Sequence, residues 1–169
     1  MSEGITIYGN EAEQSEPMTQ EEIIMNERDI LAALIELGNE KDNVENHREI
    51  LIKRDGVIKI KFRVRPLSEA ESQQCWKQAT KYAPAKAGQP KKPIETDAAL
   101  FRAYLVYTAT IEEDRQKLWD NKQAQAALGI LHGVFMVDRV LKSGEKDRIL
   151  NVIDEISGFD EDLEELAKN

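Results

Sequence analysis

Residues 58–65 read Ile-Lys-Ile-Lys-Phe-Arg-Val-Arg, with apolar and cationic side chains in strict alternation. A period of two puts Ile58, Ile60, Phe62 and Val64 on one face of a strand and Lys59, Lys61, Arg63 and Arg65 on the other. The first face requires a core, and the second requires water or an acidic partner. Pro66 has no amide hydrogen to donate and biases Arg65 to an extended shape, so the strand closes there. Ile50 and Ile52 mark a shorter strand before it, with Asp55-Gly56 between the two. A two-residue Asp-Gly loop would set Ile52 opposite Lys59 and Ile50 opposite Lys61, mixing the faces. A three-residue loop, Arg54-Asp55-Gly56, with Gly56 left-handed in a bulge, pairs Ile52 with Ile58 and Ile50 with Ile60. A slip of one residue turns every side chain over, so burial favours the three-residue loop, with a positive φ at Gly56.

The remainder carries helical spacing. Thr19 and Glu22 form a capping box, and Ile23, Ile24, Ile30, Leu31, Leu34 and Ile35 follow on one stripe up to Gly38, predicting a helix over 20–37. Residues 39–47 read as a polar connector. Ser68 with Glu71 is a second capping box, opening a helix with Trp76, Ala79 and Tyr82 on one face. Residues 83–94, rich in Pro and Lys, read as a mobile loop. Thr96 is expected to cap a helix striped by Leu100, Phe101, Tyr104, Leu105 and Thr108. Further stripes lead through Leu118, Ala124, Ala127 and Leu128 to Gly129, and through Leu131, Val134, Phe135, Asp138 and Leu141 to Gly144. A last one leads through Ile149, Leu150, Val152, Ile153 and Ile156 to Gly158. Each glycine stands where a helix end favours a left-handed residue. The fold class expected is α+β, mostly α-helical: one antiparallel hairpin over about 48–65, packed on five or six helices.

Charge divides the chain. The net charge of −9 comes from the ends. Residues 1–27 hold seven acidic side chains and no Lys or Arg, and residues 154–169 hold seven more against Lys168 alone. Residues 28–153 hold 18 acidic and 22 basic groups, so the body is mildly basic. Residues 1–18, low in apolar content, read as a disordered acidic segment, though residues 5–8 would suit a short strand if something paired with them. Residues 19–159 read as one domain, with helix 20–37 either docked or detachable, and residues 160–169 as an acidic tail. No apolar run approaches the roughly 20 residues that cross a bilayer. The N-terminus lacks a signal pattern, and the only cysteine, Cys75, can form no intramolecular disulfide. A cytoplasmic location is expected.

No grouping for chemistry emerges. His47 and His132 lie far apart without ligand-spaced partners, so no metal is expected. Cys75, in a helix beside Trp76, reads as a structural thiol. No nucleophile elbow, P-loop or dinucleotide fingerprint occurs, and no cofactor is expected. Lys142-Ser143-Gly144-Glu145-Lys146 lacks P-loop spacing and reads as an inter-helix turn. Glu112, Glu113 and Asp114 read as a solvated acidic cluster. The run at 160–165 lacks the alternation and glycine of a calcium loop. Two candidate binding surfaces are left. One is the helix stripe at Ile23, Ile24, Ile30, Leu31 and Leu34, for its own body, a partner groove or a second copy. The other is the cationic row at Lys59, Lys61, Arg63 and Arg65. It serves edge protection, an acidic partner (the chain's own tails included) or, least favoured because Phe62 faces the core, nucleic acid.

The order of these landmarks resembles one known family. An amphipathic helix precedes a hairpin that runs into Arg65-Pro66-Leu67-Ser68-Glu69-Ala70-Glu71. A helix then ends in Ala109-Thr110-Ile111-Glu112, Ala127-Leu128-Gly129 follows, and a last helix closes with Ser157-Gly158-Phe159. This is similar to the XkdN-like phage tail assembly chaperones over residues 20–159. Relatives often carry Pro-Gly-Glu before the last main helix, where this chain has Ser143-Gly144-Glu145. The resemblance implies a non-catalytic factor, absent from the finished virion. It would bind the aggregation-prone tape measure protein and assist the tail tube protein as the tube polymerises; a homo-oligomer is a separate expectation that the resemblance does not supply. The rival expectation is a small regulatory or nucleic-acid adaptor acting through the basic strand.

Overall fold

The computed structural model describes residues 27–159. The capping box at Thr19 and Glu22, the candidate strand at 5–8 and the acidic tail at 160–169 lie outside them. The chain divides into two units, Met1–Glu40 and Lys41–Asn169. Helix α1 (Glu27–Gly38) belongs to the first. The second holds β1 (Arg48–Arg54), β2 (Val57–Val64), α2 (Glu69–Gln78), β3 (Thr80–Tyr82), β4 (Pro93–Thr96) and α3 (Ala98–Ala109). It continues with α4 (Glu112–Lys117), α5 (Lys122–Leu128), α6 (Gly133–Val140) and α7 (Ser143–Ile156). The class is α+β and mostly helical, with seven α-helices and two two-stranded sheets among the described residues.

The β1–β2 hairpin closes differently from expectation. Asp55 (φ 55°) and Gly56 (φ 75°) are both left-handed and form a two-residue loop, so Arg54 pairs with Val57. The positive φ at Gly56 is present, but a tight mirror-image turn requires it as much as a three-residue loop does. The face-mixing that argued against the short loop is removed by a bulge at Ile58-Lys59. The extra residue shifts the ladder so that Ile52 faces Ile60 and Ile50 faces Phe62. The pairs Ile52–Ile58 and Ile50–Ile60 are not formed. Beyond the bulge the alternation holds, with Phe62 and Val64 buried, while Val57 and Ile58 at the tip are exposed.

Helix α3 is the centre of the helical layer, packing on α2, α6 and α7. Its fully buried positions are Ala103, Val106 and Ala109, a narrow seam of small side chains that lets neighbouring helices approach. The expected stripe (Leu100, Phe101, Tyr104, Leu105, Thr108) is only partly buried, because neighbours on several sides leave no dominant face. Trp119 joins hairpin to helices. Its ring meets Phe62 edge-on at 5.3 Å, and its indole N–H donates to Thr110 Oγ1 at 2.9 Å. A buried indole needs such a partner.

Several boundaries depart from expectation. Helix α2 stops at Gln78 and Tyr82 lies on a strand, because Thr80–Tyr82 pairs with Pro93–Thr96 as a second small sheet around the Pro/Lys-rich loop. Asp97, not Thr96, caps α3 by accepting from the Leu100 amide; Thr96 instead shares a 2.7 Å hydroxyl contact with Thr80. Gly129 (φ 67°) and Gly158 (φ 88°) end helices in the left-handed form. Gly144 does not, since it lies in the first turn of α7, where the Lys142 amide donates to Glu145. The Ser68–Glu71 capping box is formed from both sides.

Candidate interaction surfaces

Helix α1 carries its apolar stripe in the open. Ile30 is 39% exposed, and Leu31, Leu34, Ile35 and Leu37 are each more than half exposed. Ile23 and Ile24 lie outside the described residues. Gly38 ends the helix as its composition suggests.

The cationic row of β2 separates into two pairs. Arg63 is taken up from within: its backbone N–H donates to Asp114 Oδ2 at 2.8 Å, and its guanidinium reaches both Asp114 oxygens at 3.1 Å and Glu113 at 3.3 Å. Burial alone would raise the Asp114 carboxyl, but the Arg63 guanidinium and amide outweigh it and hold it below its ordinary value. Arg65 grips Glu71 through two N–H groups, at 3.2 and 2.5 Å. Burial again opposes ionisation there, yet Arg65 and the Ser68 amide lower the Glu71 carboxyl to about 2. Lys59 and Lys61 are exposed, and neither forms an ion pair among the described residues. Asp114 therefore corrects the reading of residues 112–114 as a solvated cluster. They open α4, and the side chain of Asp114 is only 12% exposed because it anchors the strand.

A third cation sits where the hairpin meets the helices. Arg54 donates to both Glu145 oxygens, at 3.1 and 2.5 Å, and to the Val140 carbonyl at the end of α6 at 3.1 Å. The Arg54 hydrogen bonds hold the Glu145 carboxyl below its usual range. A cation at the last carbonyls of one helix and a carboxylate in the first turn of the next both suit the helix dipoles. The same four cations that looked alike in sequence thus play unequal parts: Arg63 and Arg65 brace the fold, and Lys59 and Lys61 face water.

An exposed apolar corner was not anticipated. Leu131 is 94% exposed and Phe135 51%, although periodicity assigned both to a buried stripe. Val134, Met136, Val137 and Leu141 are the residues buried there. His132 Nδ1 accepts from the Val134 amide and caps α6, which starts at Gly133, two residues beyond Leu131. Behind this corner, Gly133 sits against Tyr107 and Asp120, and a Cβ on it would meet Asp120 Oδ1 at 2.2 Å. Tyr107 donates to Asp120 at 2.8 Å, and burial together with that bond raises its hydroxyl to about 12.

Nothing in these arrangements resembles a reaction centre. Cys75 is buried in α2 and shares a 3.3 Å contact with the Thr108 hydroxyl; burial raises its thiol. Among the described residues no three His, Cys, Asp or Glu side chains are grouped to hold a metal, and no helix is long and apolar enough to cross a membrane. The second unit is a small, mostly helical α+β body with a braced hairpin, and α1 of the first unit is an amphipathic helix with an exposed stripe. The chain belongs to the XkdN-like phage tail assembly chaperone family, whose model matches residues 33–169. No curated protein matches it. The crystal structure of the protein yqbn is similar at 20% identity over 68% of this chain and 87% of that one. The TM-score of 0.42 is too low for that likeness to carry an argument.

Proposed function

We propose that this chain is a non-catalytic tail assembly factor that acts in the host cytoplasm. It binds the tape measure protein through the apolar stripe of α1 and keeps it soluble while tail tube protein polymerises around it. Family membership supports the tail assembly role. The observation that carries the finer reading is the exposure of Leu31 and Leu34, 60% and 62%, on a 12-residue helix. A helix that short is marginal alone in water, so an apolar stripe on it is best stabilised by a partner. Acidic groups near both ends of the chain supply the charge that keeps such a surface from aggregating. The internal pairing of Arg63 and Arg65 leaves less cationic surface for a nucleic-acid adaptor than the sequence suggested.

Co-expression with the tape measure protein tests this. The expected result is a soluble complex that co-purifies, and insoluble tape measure protein when the chaperone is omitted. A tape measure protein that behaves identically with and without this chain would overturn the reading.

A further inference from the structure

Among the described residues, the β1–β2 sheet has one closed edge and one open edge. On the β2 side, the Arg63 N–H is bonded to Asp114, its carbonyl accepts from the Ile111 amide at 3.0 Å, and Val64 bridges Thr110. Both backbone groups of Arg63 therefore point away from β1. In an antiparallel ladder facing residues alternate between inward- and outward-pointing groups, so Glu49, opposite Arg63, also points its N–H and C=O outward. Because the bulge adds its residue to β2, the alternation along β1 is unbroken and Leu51 and Lys53 point outward too. No described residue forms a backbone bond to these three. A groove of about 360 Å³ runs beside them, walled by Arg148, Ile149 and Val152 of α7.

Open edges are ordinarily protected by charged side chains, Lys above all, and like charges brought face to face repel a second copy. This edge is guarded by Glu49 and Lys53, both exposed, on either side of Leu51, which is 41% exposed. That pattern complements itself. A two-fold axis at Leu51 sets Leu51 against Leu51 of the second copy and each Glu49 against the other copy's Lys53. This register engages all six outward-pointing residues, three from each chain. Moving the axis by one residue loses bonds and separates the charges. Arg48 and Arg54, which come opposite each other at the ends, are both turned back onto their own chain: Arg48 onto the carbonyls of Glu45 and His47, Arg54 onto Glu145.

We propose that the outer edge of β1 is a self-association surface, joining two copies into a continuous four-stranded antiparallel sheet with Lys59 and Lys61 of both copies on its wet face. This is a claim about self-assembly and does not depend on which protein α1 engages. Three residues per side make a small contact, so the dimer forms in the micromolar range rather than below it.

Sedimentation of the full chain over a concentration series, with paired charge variants, tests it. The unaltered protein should pass from monomer to dimer as concentration rises. Glu49→Lys and Lys53→Glu should each weaken the dimer by roughly tenfold or more, since both cross-strand pairs become like-charged. An equimolar mixture of the two variants should dimerise, because every Lys then faces a Glu, and the doubly exchanged chain should recover as well. Thermal unfolding confirms that each variant is folded, and if Glu49→Lys is not, Lys53→Glu and the double exchange still decide. A monomer throughout the series, or a dimer that neither variant weakens, would overturn the proposal.

Discussion

Helices α1 and α3 are both 12 residues long and both rich in apolar side chains, yet they sit at opposite extremes of exposure. Helix α3 turns Ala103, Val106 and Ala109 into contacts with three other helices, and none of these three is exposed. Helix α1 leaves Leu31, Leu34, Ile35 and Leu37 largely in water. Apolar content alone does not account for this, although α3 has ten apolar side chains to seven in α1. Arrangement does: α3 carries small residues at its closest contacts and apolar residues all round, as a central helix must. Helix α1 gathers its apolar residues on one stripe, with Asp29 and Glu36 on the opposite side. Exposed stripes of that kind are costly unless something uses them.

The difference is sharpest under substitution. Val106→Asp places an unpaired carboxylate in the centre of α3 and should abolish cooperative folding, a loss of more than about 4 kcal/mol. Leu31→Asp with Leu34→Asp should leave the unfolding free energy of the 41–169 unit within about 0.5 kcal/mol of the unaltered chain. A comparable loss from both would erase the distinction. Phe62→Ala removes the ring that meets Trp119 and should cost about 3–5 kcal/mol by denaturant unfolding. Gly133→Ala must push Asp120 or Tyr107 aside and should cost about 1–3 kcal/mol, with Tyr107 titrating closer to its ordinary value.

Acid provides the smallest and most general test. Glu71 is lowered to about 2, and Asp114, Glu113 and Glu145 are also lowered. A carboxyl whose folded value lies below its unfolded one contributes stability fully present above the unfolded value and lost as pH falls through the folded one. Unfolding temperature should therefore hold from neutrality to about pH 5 and fall steadily toward pH 2. Arg65→Met should flatten part of that fall by removing the partner of Glu71. An unchanged acid profile would show that this pair contributes nothing.

The parts of this fold legible in the sequence are those where one local rule acts alone. The Ser68–Glu71 box, the left-handed Gly129 and Gly158, and the alternation through Phe62 and Val64 all formed as their neighbours dictate. The hairpin register was not legible, because a bulge and a tight turn together satisfy the same burial that a longer loop would. Asp-Gly alone cannot distinguish them. Thr80–Tyr82 lacks a long apolar pattern and becomes a strand only by meeting Pro93–Thr96 across the loop. The division of the cationic row was hidden for a similar reason: Asp114, the partner of Arg63, lies 51 residues away, on an element whose position periodicity cannot supply. Leu131 was misassigned because a helical stripe was extended through the His132 cap, beyond the point where the helix begins, and Phe135 lies inside α6 on the side away from the buried Gly133 and Val137.

We propose that α1, and not the braced body, recognises the tape measure protein. The most direct measurement is the affinity of the tape measure protein for three chains: unaltered, Leu31→Asp/Leu34→Asp, and Lys59→Glu/Lys61→Glu. The account predicts binding lost in the α1 variant and retained within a few-fold in the lysine variant, with both folded. Binding that survives in the α1 variant, or that is lost only with the lysines, would contradict it.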